Sequence, residues 1–89
     1  RLSLSSDIRK VKRMSYADAE IVELTAKEGS KITKGFVKDL NLPMNMFIGG
    51  VIRNGESFIV NGMSEIFAGD KVVVFCLKSS IKRLSELFN

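Results

Sequence analysis

The 89 residues are 45% hydrophobic and 27% charged with a net charge of +4, the balance of one small folded domain and not of a disordered chain. A single cysteine, Cys76, and the absence of histidine exclude a disulfide scaffold, Cys/His zinc sites and histidine-dependent nucleophiles. No apolar run nears the roughly 20 residues that span a bilayer.

The sequence opens on Arg1, without Met and without an export signal, so it is expected to be a piece of a longer protein. Residues 1–18 read as an N-terminal connector, with a helical stretch at 8–14 and a link at 15–18. Arg9, Lys10, Lys12 and Arg13 form its densest basic run. Such a run either faces solvent or meets phosphate, and a nucleic-acid-binding fragment is the alternative reading. No aromatic side chains are interleaved there for base stacking, so no nucleic-acid partner is expected.

From Ala19 the pattern changes. In AEIVELTA, Val22, Leu24 and Ala26 alternate with Ile21, Glu23 and Thr25, which predicts a half-buried strand. Glu28, Gly29 and Ser30 stop it, and Ser30 is placed to cap a helix over 31–40. Ile32, Phe36, Val37 and Leu40 fall at helical spacing in that helix. Gly35 weakens it by about 1 kcal/mol relative to alanine, so it should be short, and Pro43 ends it.

Met46 to Ile52 is apolar and β-favouring, and Asn54-Gly55 is a strong hairpin signal because both residues tolerate the positive φ of a type I′ turn. Gly49 and Gly50 thin this strand and permit a bulge or the close approach of another backbone. A returning strand is expected over 57–60, then a turn at Asn61-Gly62 and a short apolar step over 65–67. Ala68, Gly69 and Asp70 turn the chain into KVVVFCL, a continuous apolar run suited to a central strand with Cys76 buried in it. Ser79 or Ser80 should cap a last helix whose apolar face is Ile81, Leu84, Leu87 and Phe88. The order predicts an α+β fold with a mostly antiparallel sheet.

The glycines of FIGGVIRNGES do not make a phosphate loop. Gly50 and Gly55 have the spacing of one, but Glu56 stands where the lysine is required, and a strand follows where a helix should. Glu56, Glu65 and Asp70 all sit at turns, where Asp70 can bond backbone N–H groups, and no active site assembles from them. A binding module is expected, not an enzyme.

Taken in order, AEIVELTAKEGSKI, KDLNLP, FIGGVIRNGE, FIVNG and AGDKVVVF resemble the TrkA-C domain, the C-terminal module of RCK (regulator of K⁺ conductance) proteins. The resemblance covers 19–88, and it divides the chain into residues 1–18 and a TrkA-C regulatory domain over 19–89. It implies a small β-α-β-β-β(-α) sandwich that dimerises and regulates potassium uptake or, alternatively, another ion transporter. It further implies a cytoplasmic location, peripheral to the inner side of the cell membrane. The implied partners are a second copy, the membrane subunit of a potassium transporter and an upstream nucleotide-binding RCK domain. NAD, NADH or ATP would belong to that upstream Rossmann unit, with no cofactor in this domain. Some members bind a small effector between subunits, a nucleotide or a cyclic dinucleotide such as cyclic di-AMP. The corresponding positions here are Pro43, Met44, Phe47 and Ile48, with Asn61 from the end of the next strand. Where cyclic di-AMP binders carry an arginine and an asparagine, this sequence has Pro43 and Phe47. Arg53, beside the turn, is the candidate exposed cation for an anionic ligand.

Overall fold

The computed structural model describes residues 13–89. They form one five-stranded antiparallel sheet with a helical layer against one face. The strands are β1 (Arg13–Tyr16), β2 (Ala19–Thr25), β3 (Met46–Arg53), β4 (Glu56–Ile59) and β5 (Lys71–Leu77), in the spatial order β1-β2-β5-β3-β4. A single α-helix, α1 (Ile81–Phe88), closes the chain. The α+β class and the mostly antiparallel sheet with helical elements packed on it are as expected.

β5 sits at the centre, flanked by β2 and β3, and this is why KVVVFCL is apolar throughout. Val72, Val74 and Cys76 face the helical layer beside Val22 and Leu24 of β2 and Met46, Ile48 and Val51 of β3. Ile32, Ile66, Ile81, Leu84, Leu87 and Phe88 cover them from the other layer. The α1 contacts recur at the spacing of one helix face, and full burial of each large apolar side chain contributes about 1.5–3 kcal/mol.

Asn54 and Gly55 adopt φ of 53° and 81°, so the β3–β4 hairpin turns as the sequence indicates, with Arg53 paired to Glu56. β3 carries a bulge between Ile48 and Gly50, and a Cβ on Gly50 would lie 3.0 Å from the Phe58 carbonyl of β4. Both glycines thus do what was expected of them. The return strand starts and ends one residue earlier than expected, at Glu56 and Ile59.

Three expectations are corrected. No α-helix forms over 31–40; two 3-10 turns, Lys31–Thr33 and Val37–Asp39, stand there instead. Gly35 between them takes φ of 130°, outside the helical range, and Ser30 turns its hydroxyl back to the Lys27 carbonyl (2.7 Å) in place of capping. Ser80 precedes α1 but makes no side-chain cap bond, and a 3-10 turn over Lys78–Ser80 leads into the helix. Arg13 and Met14 lie in β1 and not in a helix, and 15–16 continue that strand up to the turn at Ala17-Asp18. The rest of the expected helix over 8–14, with Arg9, Lys10 and Lys12, lies outside the described residues.

Candidate functional site

Side chains alternate across a strand, so the sheet has a second face. The helical layer covers the first; among the described residues nothing covers the second. Cross-strand pairing aligns Met14 with Ile21, Ile21 with Phe75, and Phe75 with Phe47. These four make one apolar row over four strands. A second row sets Tyr16 beside Ala19 and Ala19 beside Leu77. Met14, Tyr16, Phe47, Phe75 and Leu77 are all exposed on this face, and Ile59 extends it on β4. Charged residues such as Glu23 and Lys71 lie toward the opposite strand ends. The apolar surface is therefore concentrated at one end of the open face, a distribution that marks an interaction site.

Two shallow cavities open on this end. One, of ≈ 320 Å³, is lined by Ala19, Met44, Asn45, Phe47, Phe75 and Leu77 among others. Phe47 and Phe75 stand with ring centroids 6.1 Å apart and planes tilted by 52°. The second, of ≈ 390 Å³, lies between β1 and Phe75 and has Met14, Tyr16 and Ile21 in its wall. Phe75 belongs to both.

The six residues singled out from the sequence separate in space. Met44 and Phe47 share the first cavity, with Met44 98% exposed. Pro43 is half-buried just before them, and its carbonyl accepts a hydrogen bond from the Met46 N–H at 3.1 Å. Ile48 follows Phe47 in the strand and points to the other side, into the core. Asn61 organises its own turn, its side-chain oxygen accepting from the Met63 N–H at 2.8 Å, and does not line the Met44–Phe47 cavity.

Arg53 is committed within the fold. Its Nε and Nη2 donate to the two carboxylate oxygens of Asp70 at 2.8 and 2.6 Å. The guanidinium also lies over the rings of Phe67 and Phe58, 4.5 and 5.4 Å from their centroids. Asp70 is buried and also accepts the Phe67 N–H at 2.8 Å, which fixes the turn before β5 as anticipated. The Arg53 hydrogen bonds, helped by that backbone donor, hold the Asp70 carboxyl below the usual range against the opposing effect of burial, and Asp70 in turn raises the Arg53 value.

Sequence reasoning missed a second pair of the same kind. Glu20 lies on the core side of β2, where Arg13 Nε and Nη2 donate to one of its carboxylate oxygens at 3.1 and 2.7 Å. The Ser15 hydroxyl donates to the other at 2.6 Å. Ser15 and then Arg13 hold this carboxyl below its ordinary value. Burial and the nearby Glu20 charge push the Cys76 thiol up, so Cys76 is an inert core residue and not a nucleophile. Among the described residues no cluster of acids and Cys could hold a metal ion, and no helix is long and apolar enough to cross a membrane.

The exposed apolar end of the sheet has the geometry of an interaction face. The family model of the TrkA-C domain matches residues 21–89. The Trk system potassium uptake protein TrkA of Azorhizobium caulinodans is 36% identical over 81 residues, 91% of this chain and 18% of that protein. A TrkA homolog of Archaeoglobus fulgidus is 34% identical over 74 residues, 83% of this chain and 17% of its own length. The chain thus spans about a fifth of the length of these relatives. A solved RCK domain with cda superposes with a TM-score of 0.62 at 20% identity, covering 78% of this chain and 97% of that one, a likeness of fold. With the model matched over most of the chain and relatives at this identity, the chain belongs to the TrkA-C domain family.

Proposed function

We propose that the chain is a regulatory module of a Trk-type potassium uptake system and acts as a homodimer paired through the open sheet face. The observation that carries this reading is the apolar row Met14–Ile21–Phe75–Phe47 on the face opposite the helical layer, exposed at Met14, Phe75 and Phe47 and half-buried at Ile21. Five strands at about 4.8 Å spacing and central strands of about 23 Å give this face roughly 500 Å² in projection. With side-chain relief, that is of the order of the ~800 Å² per partner in standard interfaces. An apolar patch at one end of the face suits two-fold pairing, in which both copies offer the same patch.

The module works by rearrangement and not by chemistry. A small effector would sit at the Met44–Phe47–Phe75–Leu77 cavity, where the rings offer stacking for a planar group such as a nucleotide base. It acts by preferring one arrangement of the pair over another. The pair would sit in the cytoplasm, following an upstream nucleotide-binding RCK domain, and pass its arrangement to the transporter's membrane subunit. Arg13, one of the four cations of the alternative nucleic-acid reading, is paired with Glu20.

Sedimentation equilibrium tests the pairing. The chain is expected to dimerise at micromolar concentration, and Phe47→Glu or Phe75→Glu to yield a monomer with unchanged circular dichroism. A chain that stays monomeric up to about 1 mM, where the pairing free energy would fall short of ~4 kcal/mol, sinks the reading. Thermal shifts with cyclic di-AMP, ATP and NADH then test the effector; a shift lost in Phe47→Glu supports the cavity, and none with any compound removes the effector from the proposal.

A further inference from the structure

Glu20 has no role in that reading, yet its carboxylate is only 1% exposed. The three hydrogen bonds described for it all come from β1, two from Arg13 and one from Ser15. From the other elements packed nearby, Cys76 pairs with it across β5 and Lys78 contributes a favourable positive field. A buried carboxylate stripped of its donors is strongly destabilised, so ionised Glu20 requires β1 in place.

The dependence runs both ways. All four β1 residues are exposed, and none belongs to the buried core. Their side-chain anchorage on the core side is Glu20. The hairpin joining β1 to β2 passes through Ala17 at φ of 53°, a left-handed conformation that a residue with a Cβ adopts at a cost. On the other side of the strand, Met14 and Tyr16 wall the cavity that Phe75 closes. One four-residue strand therefore touches a buried charge with its inner side and completes the open face with its outer side.

We propose that β1 is a releasable strap: Glu20 holds it against β2, the docked strand completes one end of the open face, and its release weakens pairing of that face. A pull transmitted through Arg13, the first residue of β1, is the natural trigger. The output of the strap rests on the pairing reading above; its docking does not.

The protein contains one tyrosine, Tyr16, and no tryptophan, so intrinsic fluorescence reports β1 alone. The test compares the wild-type chain with Glu20→Gln, which keeps the shape and removes the charge. Amide exchange of residues 14–16 is expected to accelerate about tenfold while the β2–β5 ladder is unchanged, the mark of local release. The fluorescence anisotropy of the exposed Tyr16 should fall as β1 becomes mobile, and self-association should weaken by about tenfold in parallel. If Glu20→Gln does not fold, Ser15→Ala removes one donor and should move all three readouts the same way by less. β1 amides that exchange at the rate of β5 in both proteins overturn the strap. Release with unchanged self-association overturns its coupling to the face. A wild-type chain that never dimerises sinks the pairing reading and the coupling together, and exchange and anisotropy still decide whether the strap exists.

Discussion

The Phe75 ring occupies the space that a side chain at position 49 would need: a Cβ on Gly49 would lie 2.5 Å from Phe75 Cε1. The ring is on the open face and 43% exposed, so it can swing away where a buried ring could not. Gly49→Ala should therefore leave folding stability within about 1 kcal/mol of wild type, because the lower chain entropy of alanine offsets the displaced contact. It should nonetheless weaken self-association, since Phe75 stands in the middle of the apolar row. Sedimentation and urea titration of the same sample separate the two effects. A loss of several kcal/mol in stability would mean that the ring is locked and the face is not adaptable.

The Arg53–Asp70 pair ties the β3–β4 hairpin to the turn that starts β5. Its two members differ in exposure, with side chains 32% and 2% accessible. Removing the arginine leaves a buried carboxylate with the Phe67 N–H, so Arg53→Met should cost about 3 kcal/mol, at the low end for broken buried pairs. Asp70→Asn in the same chain removes the stranded charge and keeps an acceptor for Phe67. The double variant should recover part of the loss, visible as a higher urea midpoint than Arg53→Met alone. A double variant no better than the single one would show that the packing of Phe58 and Phe67 around the guanidinium matters more than the charge.

Acid should unfold the protein through two identifiable groups. Glu20 and Asp70 both have folded-state values lowered by their hydrogen-bonding partners. Their contribution is complete above the unfolded carboxyl value near about 4 and is lost as pH falls through the lower folded values. The urea midpoint should change little from neutrality to about pH 5 and then drop. Glu20→Gln and Asp70→Asn should each start lower at neutral pH and fall less steeply in acid. An acid slope identical in wild type and both variants would contradict this assignment. Tyr16 fluorescence distinguishes the two groups, because only Glu20 protonation loosens β1.

How much of this was legible in the sequence depends on how local each signal is. Asn54-Gly55 carries its own backbone requirement, and α1 repeats its apolar residues at one spacing, so both were readable. The 31–40 segment has helical spacing as well, but that pattern also fits two short turns, and Gly35 at φ of 130° selects them. β1 gave no periodic signal because none of its residues is buried. The available clue was Glu20, an acid two residues before Val22 on the buried side of the alternation, which demands a donor from somewhere. The partners of Arg53 and Glu20 lie 17 and 7 positions away in sequence. Such pairings depend on sheet register, which no local pattern states. KVVVFCL was correctly read as central, but its run of apolar residues conceals that Phe75 and Leu77 face outward.

Ala17 offers a test of the β1–β2 hairpin that touches neither ion pair. It is one of three non-glycine residues with positive φ among those described, and unlike Asn41 and Asn54 it has no polar side chain to ease that conformation. A left-handed residue with a Cβ costs about 1–2 kcal/mol, and glycine returns part of that gain through the greater entropy of its unfolded chain. Ala17→Gly should therefore stabilise the protein by about 0.5–1 kcal/mol, read as a higher urea midpoint. Ala17→Val, with its branched Cβ, should lose stability at the same position. Because the relieved turn belongs to β1, amide exchange of residues 14–16 should slow in Ala17→Gly by more than exchange in β5. If Ala17→Gly instead loses stability, the turn is not strained, and the hold on β1 comes from Glu20 without opposition from its own hairpin.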